Sequence, residues 1–136
     1  ESICYLGSSL SEEVTFRAHY RPSGFRTKGA LSIPVPEAFY VSVSIREHRV
    51  YAMDTLPGQR HTNAVVPDRP YSGQIITAIT HVHLWTDVGS GDGYVEPIEP
   101  PLLELEELIA NFCDRVNLWL NGDFIHPEFG RTGNLL

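Results

Sequence analysis

Residues 75–85, IITAITHVHLW, form the longest strand-like run in the chain. Successive side chains on a strand point to opposite faces. Ile76, Ala78, Thr80, Val82 and Leu84 therefore share one side, and Ile75, Thr77, Ile79, His81, His83 and Trp85 the other. Both sides are largely apolar, which is the pattern of a strand covered on both faces. The run predicts a central strand with a helix over its even face. The odd face then needs its own cover: a loop, the C-terminal tail or a partner.

One segment supplies the helix. After Pro100-Pro101, a favourable helix start, Leu102, Leu105, Ile109, Phe112 and Val116 recur at spacings of three and four, which places them on one stripe. Glu104, Glu106 and Glu107 fall in the early turns, where the helix dipole favours negative charge. The spacing predicts a helix over 102–116, extended through Leu118-Trp119-Leu120 until Asn121-Gly122 stops it. Alternating or β-branched runs predict strands at 12–20, 30–35, 38–45, 50–53 and 94–98. Residues 21–24, 46–49 and 89–93 read as turns, 57–70 as a long surface loop and 121–136 as an irregular tail. Strands followed by a helix imply an α+β fold. The expectation is one domain over 1–136: an antiparallel sheet of about five to six strands with one C-terminal amphipathic helix packed on one face. The length of 136 residues and the 42% hydrophobic content suffice for a packed core.

The charge is unevenly spread. The net charge of −7 disfavours nucleic acid as a general partner. Residues 17–69 hold eight Lys/Arg against four Asp/Glu, whereas residues 70–114 hold eight Asp/Glu and no Lys or Arg. An acidic face built from Glu96, Glu99, Glu104, Glu106 and Glu107 would suit a basic protein partner, and a homodimer is compatible with the same reading. The counter-signal is Arg17, Arg21, Arg26 and Lys28 with Tyr20 and Phe25 interleaved, a combination used on single-stranded nucleic acid. No apolar run approaches the roughly 20 residues that cross a bilayer, and the first ten residues lack a basic signal-like start. Cys4 and Cys113 have no partner at C-x-x-C spacing and read as reduced thiols of a cytoplasmic protein.

His81 and His83 share a face two residues apart, an arrangement able to chelate a divalent metal such as zinc. A further ligand is needed, and His61, Asp87, Glu96 and His126 are the candidates. His61 lies in the polar cluster Arg60-His61-Thr62-Asn63.

His81-Val82-His83-Leu84-Trp85 resembles the strand motif of the histidine-triad nucleotide hydrolases. The resemblance implies His83 as a nucleophile toward phosphate and His81 in support; Trp85 stands where that family has its third histidine. His81-x-His83 followed by Asp87 is also similar to the first cupin motif, which implies metal binding. Pro57-Gly58-x-x-His61 resembles part of the second cupin motif but precedes the first.

Two functions follow. The first is a small acidic, soluble protein-interaction domain of inhibitor, immunity or antitoxin type, acting through the acidic face. The alternative is a metal-dependent hydrolase or nuclease-like enzyme. His61, His81 and His83 would be its ligands, Arg60 would stabilise developing negative charge, and Asp87 would serve as ligand or base.

Overall fold

The computed structural model describes residues 2–6, 14–87 and 93–128, with the backbone alone over 2–6. Strands β1 (Ser2–Leu6), β2 (Val14–Arg21), β3 (Gly24–Lys28), β4 (Leu31–Val35), β5 (Ala38–Ile45), β6 (His48–Thr55), β7 (His61–Thr62), β8 (Ile75–Ile76), β9 (Thr80–Leu84) and β10 (Val95–Ile98) precede helix α1 (Leu105–Val116). Six strands form one antiparallel sheet in the order β1-β2-β5-β6-β9-β10. β3–β4 and β7–β8 are separate two-stranded pairs. The fold is the expected single α+β domain, with the helix packed on one face of the sheet.

The core is the seam between that face and α1. Phe16 from β2, Phe39 and Val41 from β5, Met53 from β6, Val82 from β9 and Ile98 from β10 meet Leu105, Leu108 and Phe112 of the helix. Strand alternation puts one residue in two from each strand into this seam. The Phe112 ring contacts Phe16 and Tyr51 with centroids 5.8 and 5.6 Å apart. Cys113 packs at the margin of the core, and burial pushes its thiol pKa up.

Hydroxyl groups tie the helix entry to the sheet. Thr55 and Thr80 are paired across β6 and β9, and their hydroxyls lie 2.9 Å apart. Thr55 donates to the Leu102 carbonyl (2.7 Å), and the Leu102 N–H donates to Thr80 (3.0 Å). Two buried threonines thus satisfy each other and the backbone that leads into α1.

Four local expectations are revised. The 75–85 run is split, because β9 loses its neighbour where the β6 pairing ends at Thr55↔Thr80; beyond it β6 gives way to the turn at Pro57-Gly58. Upstream, Ile75 and Ile76 pair with β7 instead. β9 is consequently next to the edge strand β10 rather than central, although its even face is core, as expected. β6 begins at His48, so the hairpin turn is Arg46-Glu47 alone, with Arg46 at φ 54°. Helix α1 stops at Val116 because Asn117 takes the left-handed conformation. The Leu118 N–H then bonds the Cys113 carbonyl at 2.9 Å, a Schellman closure that leaves Trp119 outside the helix. Finally, β3 is a strand that periodicity could not find, because all of its residues are exposed. The turn expected at 89–93 lies outside the described residues except for Gly93, as does the tail beyond residue 128.

Phe112 is fully buried at the centre of the helix–sheet seam. Phe112→Ala is expected to lower unfolding free energy by about 3–5 kcal/mol. Chemical denaturation at matched slope measures it, and a loss below about 1 kcal/mol would show that the seam is not the main core.

Candidate metal centre

The sheet face opposite α1 carries the chemistry. Register sets it: Asp54 of β6 pairs directly with His81 of β9, and Ala52 pairs with His83. Ala52, fully buried and small, leaves the His83 ring room to lean diagonally toward Asp54, within the reach of cross-strand neighbours. His81 Nδ1 hydrogen-bonds Asp54 Oδ1, and His83 Nε2 hydrogen-bonds Asp54 Oδ2 at 2.8 Å. One ligand atom from each of Asp54, His81 and His83 lies within 4.8 Å of the others.

Burial of Asp54 acts to raise its pKa, but the hydrogen bonds and charge of His81 and His83 outweigh this and hold the carboxyl below its usual range. An ionised carboxylate only accepts, so both rings must donate to it. That choice places a proton on His81 Nδ1 and on His83 Nε2. His81 then turns Nε2 away from Asp54, and His83 turns Nδ1 away. Both of these nitrogens are buried without a hydrogen-bond partner.

The third histidine arrives on a loop. His61 in β7 stands with its ring centroid 6.1 Å from that of His83, edge to face. Burial, then the neighbouring His83, hold its pKa below the usual histidine value, and its ring is hydrogen-bonded to the backbone of Gly93. Its Nε2 is a further buried nitrogen without a partner. Three adjacent imidazoles, each with one unsatisfied buried nitrogen, are unusual, because such groups cost roughly 1–3 kcal/mol each.

Asn63 holds this loop in place. Its Nδ2 donates to the carbonyls of Tyr71 and Val95, both at 2.8 Å, and its Oδ1 accepts from the Val95 N–H at 2.8 Å. The carboxamide therefore satisfies both outward-facing backbone groups of Val95, as a neighbouring strand would. The Ala64 N–H extends the join to the Gly93 carbonyl at 2.8 Å. The segment expected as a plain surface loop at 57–70 thus carries a short strand and two buried residues, Asn63 and Val66.

Other expected site residues lie elsewhere. Arg60 and Asp87 are exposed, and no hydrogen bond or ion pair joins either to the three histidines. His126 sits against Tyr20, ring centroids 4.8 Å apart, and Tyr20 belongs to the helix side of the sheet. Glu96 is half-buried, accepts from the Tyr94 hydroxyl at 3.1 Å and lies 4.0 Å from Arg69. Glu99, Glu104, Glu106 and Glu107 are exposed. The residue that sequence reasoning missed is Asp54. Its signal was available: it is the lone acid inside the apolar VYAMDT run.

No protein-family model matches the chain, and searches of curated proteins and of solved structures return no match. The two short sequence resemblances therefore stand alone. Trp85, at the third triad position, is half-exposed beyond the end of β9, and the carboxylate beside the histidines is Asp54 rather than Asp87.

Asn63→Ala removes three hydrogen bonds and strands the Val95 amide. The expected loss is about 2–4 kcal/mol, together with faster amide exchange over 61–74. A variant within about 0.5 kcal/mol of wild type would mean that the loop is held by other contacts.

Proposed function

We propose that the chain is a divalent-metal protein and that its centre supports hydrolytic chemistry. The observation that carries this reading is the convergence of Asp54, His81 and His83 on a buried sheet face, their ligand atoms within 4.8 Å of one another. His61, expected as a ligand beside His81 and His83, stands outside that trio with its ring centroid 6.1 Å from that of His83, and is the candidate for a fourth ligand. Imidazoles with a carboxylate suit zinc and related first-row ions, and an ion held by this trio would replace the protons that His81 Nδ1 and His83 Nε2 share with Asp54. A bound ion of this kind acts as a Lewis acid and lowers the pKa of coordinated water. The chain's own contribution is orientation. The sheet register sets Asp54 against both rings, Ala52 leaves space for one of them, and Asn63 secures the loop that brings His61. On this reading the protein works in the cytoplasm, with the Cys113 thiol reduced.

Protein purified without an affinity tag is expected to hold about one equivalent of divalent metal by elemental analysis. His81→Ala and His83→Ala each abolish that content. Adding zinc to metal-stripped protein at a hundredfold excess over Kd stabilises it by about 2.7 kcal/mol, a melting shift on the order of 8 °C. Binding weakens as pH falls, since the ligands must shed protons. Metal-free protein with no shift on zinc, manganese or cobalt would sink the reading. Metal-loaded protein inert toward carboxylic and phosphate esters would leave a metal centre without the hydrolytic role.

One observation favours a second reading, the acidic interaction face. Glu104, Glu106 and Glu107 line a groove of about 840 Å³ together with Phe124 and Ile125. Acid around an apolar floor fits a partner that is both basic and apolar. A basic partner recovered by pull-down and released by salt is expected, and Glu104→Lys with Glu107→Lys should prevent its capture.

A further inference from the structure

β3 and β4 form an arm. It leaves the main sheet where β2 ends at Arg21 and returns where β5 begins at Ala38. Its turn is Gly29-Ala30, with Gly29 at φ +61° and Ala30 outside the positive region, the arrangement that a two-residue II′ hairpin requires. Five residues per strand extend about 17 Å. A two-stranded hairpin alone is marginal in water, and in this one every residue of both strands except the half-buried Val35 is exposed. Phe25 is 76% and Leu31 66% exposed.

The register sorts the arm's chemistry. Arg26 pairs with Ile33 and Lys28 with Leu31, so one face carries two cations on β3 beside two aliphatic side chains on β4. From Val14 to Pro36 there is no acid, and no ion pair joins Arg26 or Lys28 to another described residue. A purely phosphate-binding ribbon has no need of Leu31 and Ile33. A partner that offers carboxylates beside an apolar floor does.

The same chain presents that surface. The groove at the start of α1 has Glu104, Glu106 and Glu107 on its acidic side and Phe124 and Ile125 on its apolar side. Its wall also includes His126, which packs on Tyr20, next to the root of the arm. Arm root and groove therefore share one end of the molecule, yet the arm's own apolar groups remain in solvent rather than in that groove. Two copies meeting at this end about a twofold axis can each place an arm in the other's groove, and such an isologous contact is closed and counts twice.

We infer that the β3–β4 arm docks in the α1 groove of a second copy of this chain, making a reciprocal homodimer. The inference rests on the acidic-face reading and gives that face its partner.

Sedimentation equilibrium at low salt is the test, and charge exchange makes it specific. Wild type is expected to dimerise, and 0.5 M NaCl to weaken the dimer. Arg26→Glu with Lys28→Glu weakens it at least about tenfold, and Glu104→Lys with Glu107→Lys does the same. All four sites are exposed, and far-UV circular dichroism confirms folding. Mixing the two variants restores a heterodimer, and all four changes in one chain restore a homodimer. A monomeric wild type, a dimer indifferent to arm reversal, or no recovery on mixing would overturn the inference. So would a monomer that shifts single-stranded RNA through Arg26 and Lys28, which assigns the arm to nucleic acid. If self-pairing fails while the glutamate reversal still abolishes capture of another basic protein, the acidic-face reading survives without it.

Discussion

Asp54 sits in a sheet interior where burial alone would favour its neutral form. It stays ionised because His81 and His83 both donate to it, one across the strand and one diagonally. That arrangement has consequences in every direction. It orients two rings, fixes which nitrogen of each faces the carboxylate, and leaves the opposite nitrogens without partners among the described residues. A buried polar group this well positioned on one side and this poorly satisfied on the other is a high-energy arrangement unless something completes it. The stability needed to hold it comes from the other face, where Phe112, Leu108 and Met53 are buried to completion. The sheet thus divides its labour. One surface supplies hydrophobic free energy, and the other spends part of it on chemistry.

Such a division requires a second cover, since the polar face cannot be left wholly to water without losing its short hydrogen bonds. The loop from β7 to β8 provides the cover, and it does so at the vulnerable outer edge of β10. Exposed strand edges invite unwanted pairing. Here the edge is closed largely by one side chain, Asn63, whose amide reproduces the donor and acceptor of a missing strand. The same residue brings His61 beside His83, so edge protection and assembly of the site are one structural act.

How much of this was legible in the sequence depends on the range of the interaction. α1 and β5 were plain because their periodicities are local, and the stripe from Leu105 to Val116 needs no knowledge of the sheet. His81 and His83 were plain for the same reason. Asp54 was not, because its partnership with His81 is a matter of register between strands 27 residues apart in sequence. A lone acid in an apolar strand was the available hint. The break between β8 and β9 was hidden too, since the composition of 75–85 is uniform and the break is imposed by where β6 ends. β3 escaped because pattern recognition depends on burial, and a strand exposed on both faces has no pattern to show. Asn117 was passed over because its left-handed conformation depends on helix-end geometry, which Asn121-Gly122 mimics in sequence four residues later.

The join between Asn63 and β10 has a kinetic corollary. A strand added to a sheet edge behaves as a zipper, and its terminal hydrogen bonds fray one by one. Asn63 behaves as a rivet. Its three bonds converge on a single planar amide and break together when that group rotates out. The lid over the histidines keeps two further ties when that happens, Ala64 N–H to the Gly93 carbonyl and Tyr71 N–H to the Tyr94 hydroxyl. Opening the buried face therefore takes the loss of the Asn63 amide together with those two bonds, a local unfolding of the loop rather than a rotation of one side chain.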